Sequence, residues 1–164
     1  MRLVVMGVSG AGKTTVGQGL AAAAHVPFVD ADDLHPAANV RKMAAGIPLT
    51  DADREPWLVR VGETLAAAGA IVVACSALRR RHRDAIRSVA ADAVFLLLDV
   101  APDELGARVR TRRHRYMPAS LLGSQLATLE PLAPGEAGVS IDATGPPDEV
   151  IDRALSAVRA AGWR

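Results

Sequence analysis

Short apolar runs alternate along the chain with segments whose apolar residues return every three or four positions. The runs are Arg2-Leu3-Val4-Val5-Met6, His25-Val26-Pro27-Phe28-Val29, Ala70-Ile71-Val72-Val73-Ala74, Ala93 to Asp99 and Val139-Ser140-Ile141-Asp142. The third of these is apolar throughout, as a strand covered on both faces must be. Between them the spacing predicts helices. Thr14 to Ala24 puts Val16, Leu20, Ala23 and Ala24 on one face, and Ala37 to Ala45 forms a second helix. A third is announced by Thr50 and Asp53 at capping-box spacing, with Pro56 near its first turn and Leu58, Val61 and Leu65 as its buried stripe. Arg79 to Arg87, a segment from Pro102, Ser120 to Leu129, and a last helix from Pro146 with Ile151, Ala154, Leu155 and Val158 inward complete the set. Such alternation predicts a three-layer α/β/α sandwich, a five-stranded parallel sheet with helices on both faces, in a single domain over residues 1–164.

Composition narrows this picture. Half the residues are hydrophobic but only 3% are aromatic, so the core is expected to be aliphatic strands against closely packed, alanine-rich helices. A formal net charge of +1 argues against a binder of nucleic acid. One cysteine, Cys75, cannot form an internal disulfide, there is no signal-peptide pattern, and no apolar run approaches a membrane span. These features point to a soluble, cytoplasmic protein with no membrane partner.

Chemistry enters after the first strand. Gly7-Val8-Ser9-Gly10-Ala11-Gly12-Lys13-Thr14 satisfies the G-x-x-x-x-G-K-[ST] pattern of the phosphate-binding P-loop, between a predicted strand and a predicted helix. The glycines allow backbone N–H groups to turn toward phosphate oxygens, Lys13 can reach the β- and γ-phosphates, and the Thr14 hydroxyl can ligate Mg²⁺. Residues Gly7 to Thr14, with Thr15, are the expected ATP contacts.

The second strand delivers Asp30-Ala31-Asp32-Asp33-Leu34-His35-Pro36 to the same sheet edge, where ligands of open α/β sheets bind. In an extended backbone Asp30 and Asp32 share a face and could serve a metal and a substrate hydroxyl; Asp32 or Asp33 could instead cap the helix that follows. Arg54 stands at a helix start, where the dipole does not favour a cation, so it needs an anion: a ligand, or Asp51 or Asp53. Of the cationic residues in Arg79 to Arg87, most read as a solvated face and only Arg79 or Arg80 as ligand candidates. Asp99 reads as structural, because Pro102-Asp103-Glu104 opens a helix just beyond it. Arg108-Val109-Arg110-Thr111-Arg112-Arg113-His114-Arg115 concentrates positive charge that repels itself unless a polyanion arrives, which suggests a mobile lid around residues 108–122.

These parts suit phosphoryl transfer to a small molecule: charge neutralised by Lys13, Mg²⁺ and arginines, and an acceptor hydroxyl oriented by Asp32. They do not by themselves exclude a nucleotide-binding protein without transfer chemistry. The same stretches, with Asn39-Val40-Arg41-Lys42-Met43, Gly46-Ile47-Pro48-Leu49, Asp51-Ala52-Asp53-Arg54-Glu55-Pro56-Trp57-Leu58, Cys75-Ser76-Ala77-Leu78 and Ser124-Gln125-Leu126-Ala127-Thr128-Leu129-Glu130, resemble the small gluconokinases over nearly the whole chain. The resemblance implies ATP- and Mg²⁺-dependent phosphorylation of D-gluconate at its 6-hydroxyl, commonly by a homodimer. It also implies kinship with shikimate kinases, by which Asp32 and Arg54 would bind the acceptor, and a shikimate or nucleotide kinase is the alternative enzyme. The expected roles are then Lys13, Asp32 and Arg112 in catalysis, and Arg108 beside the P-loop on ATP. Asp32, His35, Lys42, Arg54 and Arg79 are expected on the acceptor, and Thr14 and Asp30 on the metal. One departure is Arg113-His114-Arg115-Tyr116, where the family has Gly-His followed by an aromatic, so the histidine is displaced by one place.

Overall fold

The computed structural model describes residues 1–111 and 121–163, without the side chains of 109–111 and 121. In chain order the elements are β1 (Arg2–Met6), α1 (Lys13–Ala24), β2 (Phe28–Asp30), a 3₁₀ turn (Ala31–Leu34), α2 (Ala37–Ala44), α3 (Asp51–Ala67) and β3 (Ile71–Ala74). They continue as α4 (Arg80–Val89), β4 (Val94–Asp99), α5 (Pro102–Thr111), α6 (Leu121–Thr128), β5 (Gly138–Asp142) and α7 (Pro147–Ala160). The five strands form one parallel sheet in the order β2-β3-β1-β4-β5, with Val4 in register with Val73 on one side and Phe95 on the other.

Side-chain alternation along β1 divides the core. Leu3 and Val5 enter one layer with Val16 and Leu20 of α1 and Ala154 and Val158 of α7, while Val4 and Met6 enter the other with Trp57, Val61 and Leu65 of α3 and Ile86 of α4. Trp57, Leu58, Val61 and Leu65 are all buried, each stabilising the fold by roughly 1.5–3 kcal/mol. Between α3 and α4 contact is so close that a Cβ on Gly62 would stand 2.7 Å from Val89 Cβ and 3.0 Å from the Ile86 carbonyl.

Several boundaries and faces differ from the sequence expectation. The second strand is confined to Phe28–Asp30, because His25 takes a left-handed conformation (φ 54°) that ends α1, its N–H donating back to the Ala22 carbonyl. The buried face of α1 is Val16, Gly17, Leu20 and Ala21, whereas Ala23 and Ala24 are exposed. Gly17 packs where a Cβ would meet Phe28 at 2.6 Å, and that approach sets the helix rotation. In α7, Val150 is buried with Ala154 and Val158, while Ile151 and Leu155 are half-buried against the same layer. Pro56 lies inside α3, just past its first turn. The capping box is present, Thr50 Oγ1 accepting from the Asp53 N–H and Asp53 Oδ2 from the Thr50 N–H. No helix among the described residues is long and apolar enough to cross a membrane.

Candidate active site

At the carboxyl edge of the sheet β1 gives way to the P-loop. Gly7 has φ 143°, and a Cβ there would lie 3.0 Å from the Leu98 carbonyl, so only glycine fits between β4 and the loop. Gly12, at φ 96°, caps α1 in a left-handed conformation with no side chain over the helix end. The first-turn N–H groups therefore point outward at the positive end of the dipole, with no acidic residue in that turn to compete for them. Lys13 Nζ donates to the Val8 carbonyl at 3.0 Å, and burial lowers its pKa although Asp32, Cys75 and Asp30 oppose the shift. The neighbouring Cys75 thiol is pushed up to about 12 by burial, so it stays protonated.

Thr14 Oγ1 donates to Asp30 Oδ2 at 2.9 Å, leaving the hydroxyl lone pairs available to a cation beside a carboxylate. Asp30 Oδ1 accepts from the Asp32 N–H, so the capping aspartate of this stretch is Asp30, and it caps the 3₁₀ turn; α2 starts after Pro36, with neither Asp32 nor Asp33 as its cap. The carboxyl of Asp32 is held above the usual range by burial and by Asp30, with Lys13 opposing. Its side chain is exposed to the cleft, while protein atoms crowd it on the other sides.

A cleft of about 240 Å³ is lined by Lys13, Asp30, Asp32, His35, Arg54, His82 and Gln125. His35 stacks on Trp57 at 4.2 Å between ring centroids, and Trp57 Nε1 donates to the Ala31 carbonyl, which ties the acidic turn to α3. Arg54 Nη1 donates to the Leu49 carbonyl at 2.6 Å. Its sequence-level partners are taken: Asp53 binds Lys42 at 2.7 Å, and Asp51 binds Arg81 at 2.5 Å. Burial lowers the Arg54 pKa, Asp51 opposes that shift, and Arg79 and Arg81 add to it. Arg54 is thus a cation in the cleft wall with room for an anion.

Of the expected acceptor contacts, Asp32, His35 and Arg54 line this cleft, while Lys42 and Arg79 do not: Lys42 is paired with Asp53, and Arg79 lies 3.9 Å from Asp51. On the other side of the P-loop a second cleft, about 200 Å³, is lined by Gly10, Gly12, Thr15, Arg108 and Gly145. Arg108 reaches there from α5 and donates to the carbonyls of Ala11, Ala143 and Gly145, with Glu104 as its ion-pair partner. Arg112, His114 and most of the expected lid lie outside the described residues.

The comparisons with known proteins agree with this fold. A sequence model of shikimate kinases matches residues 9–157. The chain is 45% identical to a gluconokinase of Gluconobacter oxydans over 157 residues, covering 93% of this chain and 88% of that one. The chain belongs to the gluconokinase family. It is also 40% identical to the thermosensitive gluconokinase of Escherichia coli over 96% of its own length and 87% of the relative's. The crystal structure of a gluconokinase from Sinorhizobium meliloti superposes with a TM-score of 0.88 at 44% identity, covering 98% of this chain and 93% of that one. The shikimate kinase of Aquifex aeolicus shares the fold at 16% identity, with a TM-score of 0.61.

The gluconokinase-family site holds residues that sequence reasoning passed over. Most of the cationic side chains from Arg79 to Arg87 are exposed or partly exposed, as expected, but two are buried. Arg83 is 1% exposed and its guanidinium binds Glu136 through Nε at 2.7 Å and Nη2 at 2.8 Å, while His82 is buried at the cleft wall. Gln125 Oε1 accepts from the Ser9 N–H at 2.6 Å, linking α6 to the P-loop. Nothing local marks Arg83, whose partner is 53 residues away.

Proposed function

We propose that this protein is a gluconokinase that transfers the γ-phosphoryl group of ATP to the 6-hydroxyl of D-gluconate, giving 6-phospho-D-gluconate and ADP. The observation carrying this reading is a single cleft with a P-loop lysine and a partly desolvated aspartate at one end and, at the other, an arginine with no carboxylate partner among the described residues. Membership of a family whose named members are gluconokinases supports the choice of acceptor.

The phosphates of ATP lie along the P-loop from Gly7 to Thr15, with the base toward the second cleft, where Arg108 stands. Asp32 orients the 6-hydroxyl and takes its proton as the oxygen attacks the γ-phosphorus and the bond from that phosphorus to the β-bridging oxygen breaks. A raised pKa makes Asp32 a stronger base than an ordinary carboxylate. Lys13 meets the charge spread over the transferring group. Arg54 holds the gluconate carboxylate, with His35 beside it. Thr14 and Asp30 fit a magnesium ion, which characteristically takes one or two protein oxygens and fills its sphere with phosphate and water; when bound it neutralises phosphate charge. We further propose that residues 108–122 close as a lid bringing Arg112 to the phosphates, and that the enzyme works as a cytoplasmic homodimer.

Arg54→Ala tests the acceptor end: KM for gluconate should rise tenfold or more, since an unpaired carboxylate costs about 2 kcal/mol, with KM for ATP nearly unchanged. An equal rise for both substrates would remove Arg54 from this role.

A further inference from the structure

His82 is 6% exposed and lines the acceptor cleft from the first turn of α4. Its Nδ1 faces the Arg79 N–H at 3.4 Å and can only accept there, so the proton of the neutral ring sits on Nε2. That nitrogen is buried and has no hydrogen-bond partner among the described residues. Asp51 Oδ1 stands 3.8 Å away, beyond hydrogen-bonding distance. A buried donor without an acceptor is rare in folded proteins, and it is uncommon enough in a ligand cleft to call for an explanation.

The charges around the ring indicate which acceptor it lacks. The two ends of the cleft differ: Asp32 feels Asp30, Lys13 and Asp33, whereas His82 feels Arg54, Arg81 and Arg79, with Asp51 as the single carboxylate among them. An anionic group would be repelled by the aspartates and welcomed at the arginine end. Burial and Arg54 also keep His82 neutral, with a pKa near 4, so at neutral pH it presents an N–H without adding a charge. We propose that His82 is an acceptor-binding residue whose Nε2–H donates to the carboxylate of the sugar acid, completing with Arg54 a subsite for that group. This rests on the gluconate reading above. The carboxylate oxygen takes its place beside Nε2 by displacing the Asp51 side chain, which is half exposed.

The test separates the two ring nitrogens. His82→Asn keeps an oxygen near the Nδ1 position to accept from Arg79 but removes the Nε2 donor; His82→Gln can place an amide N–H near the Nε2 position. The expected result is a KM for gluconate raised about tenfold in His82→Asn and largely restored in His82→Gln, with KM for ATP unchanged in both. If His82 only caps α4, the order reverses and appears in thermal stability: Gln lowers Tm, Asn does not, and neither moves KM. Unchanged gluconate KM in a folded His82→Asn enzyme overturns the inference alone. If the unaltered enzyme transfers no phosphate to gluconate, the functional reading falls and this subsite with it.

Discussion

Asp32, the proposed acceptor-side base, shows how one residue can trade stability for chemistry. Burial and Asp30 favour the protonated form of Asp32 in the folded chain, so its folded pKa lies above its unfolded value. A group raised in this way contributes stability that is fully present below the unfolded pKa and is lost as pH rises through the folded pKa. At pH 7 the ionised carboxylate therefore weighs against folding. Asp32→Asn should raise Tm at pH 7, with the gain shrinking toward pH 3, while kcat for gluconate phosphorylation falls and KM changes less; thermal melts across pH, alongside steady-state kinetics, check both halves. A variant less stable at pH 7 would mean that the carboxylate is needed for packing rather than chemistry. Lys13→Ala should cost about a hundredfold or more in turnover, since in the proposed mechanism Lys13 meets charge that grows in the transition state, with an unchanged circular dichroism spectrum. Both residues are legible without coordinates, because the P-loop pattern and the strand-end aspartates are local in sequence. His82 is not, since its role depends on a neighbourhood assembled from α3 and α4.

Among the elements, the buried strands were readable because a strand covered on both faces must be apolar, as β3 is throughout and β4 is from Val94 to Leu98. Helix ends were less so: α1 stops at His25 through a backbone reversal that its composition does not announce. In the arginine-rich α4 the pattern reading missed Arg83, because it looks like its solvated neighbours until Glu136 arrives from beyond α6. That pair pins α4 to the loop before β5, helped by Arg83 Nη1 donating to the Glu130 carbonyl and by Glu130 accepting from the Arg80 N–H. Arg83→Ala should destabilise the fold by about 3 kcal/mol, measured by denaturant unfolding, because the buried Glu136 carboxylate loses its bidentate partner and keeps only Arg80 at 3.7 Å and the Ala133 N–H. A loss below about 1 kcal/mol would place the pair with exposed ion pairs. Gly62→Ala should cost roughly 1–3 kcal/mol in the same assay, since the added methyl meets Val89 and the Ile86 carbonyl in the α3–α4 contact.

At the scale of the whole molecule, the strand order β2-β3-β1-β4-β5 puts the P-loop after β1, the acidic turn after β2 and the start of α4 after β3 along one edge of the sheet. Arg54 joins them from α3, held by the Leu49 carbonyl at the wall of the same cleft. Sequence order alone could not say that the residues at the two ends of this cleft, Lys13 with Asp32 and Arg54 with His82, share one cavity, because their closeness depends on which strands are neighbours. If the segment 108–122 closes over this edge, its amide hydrogen exchange should slow when ATP and gluconate are both present, and unchanged exchange would count against a lid. The most direct test of the central claim offers the enzyme ATP with gluconate, shikimate, AMP or no acceptor and follows ADP together with the phosphorylated product. Transfer to gluconate alone, at the 6-hydroxyl, is the predicted result; transfer to shikimate or AMP, or ATP hydrolysis at the same rate whichever acceptor is supplied, would contradict it.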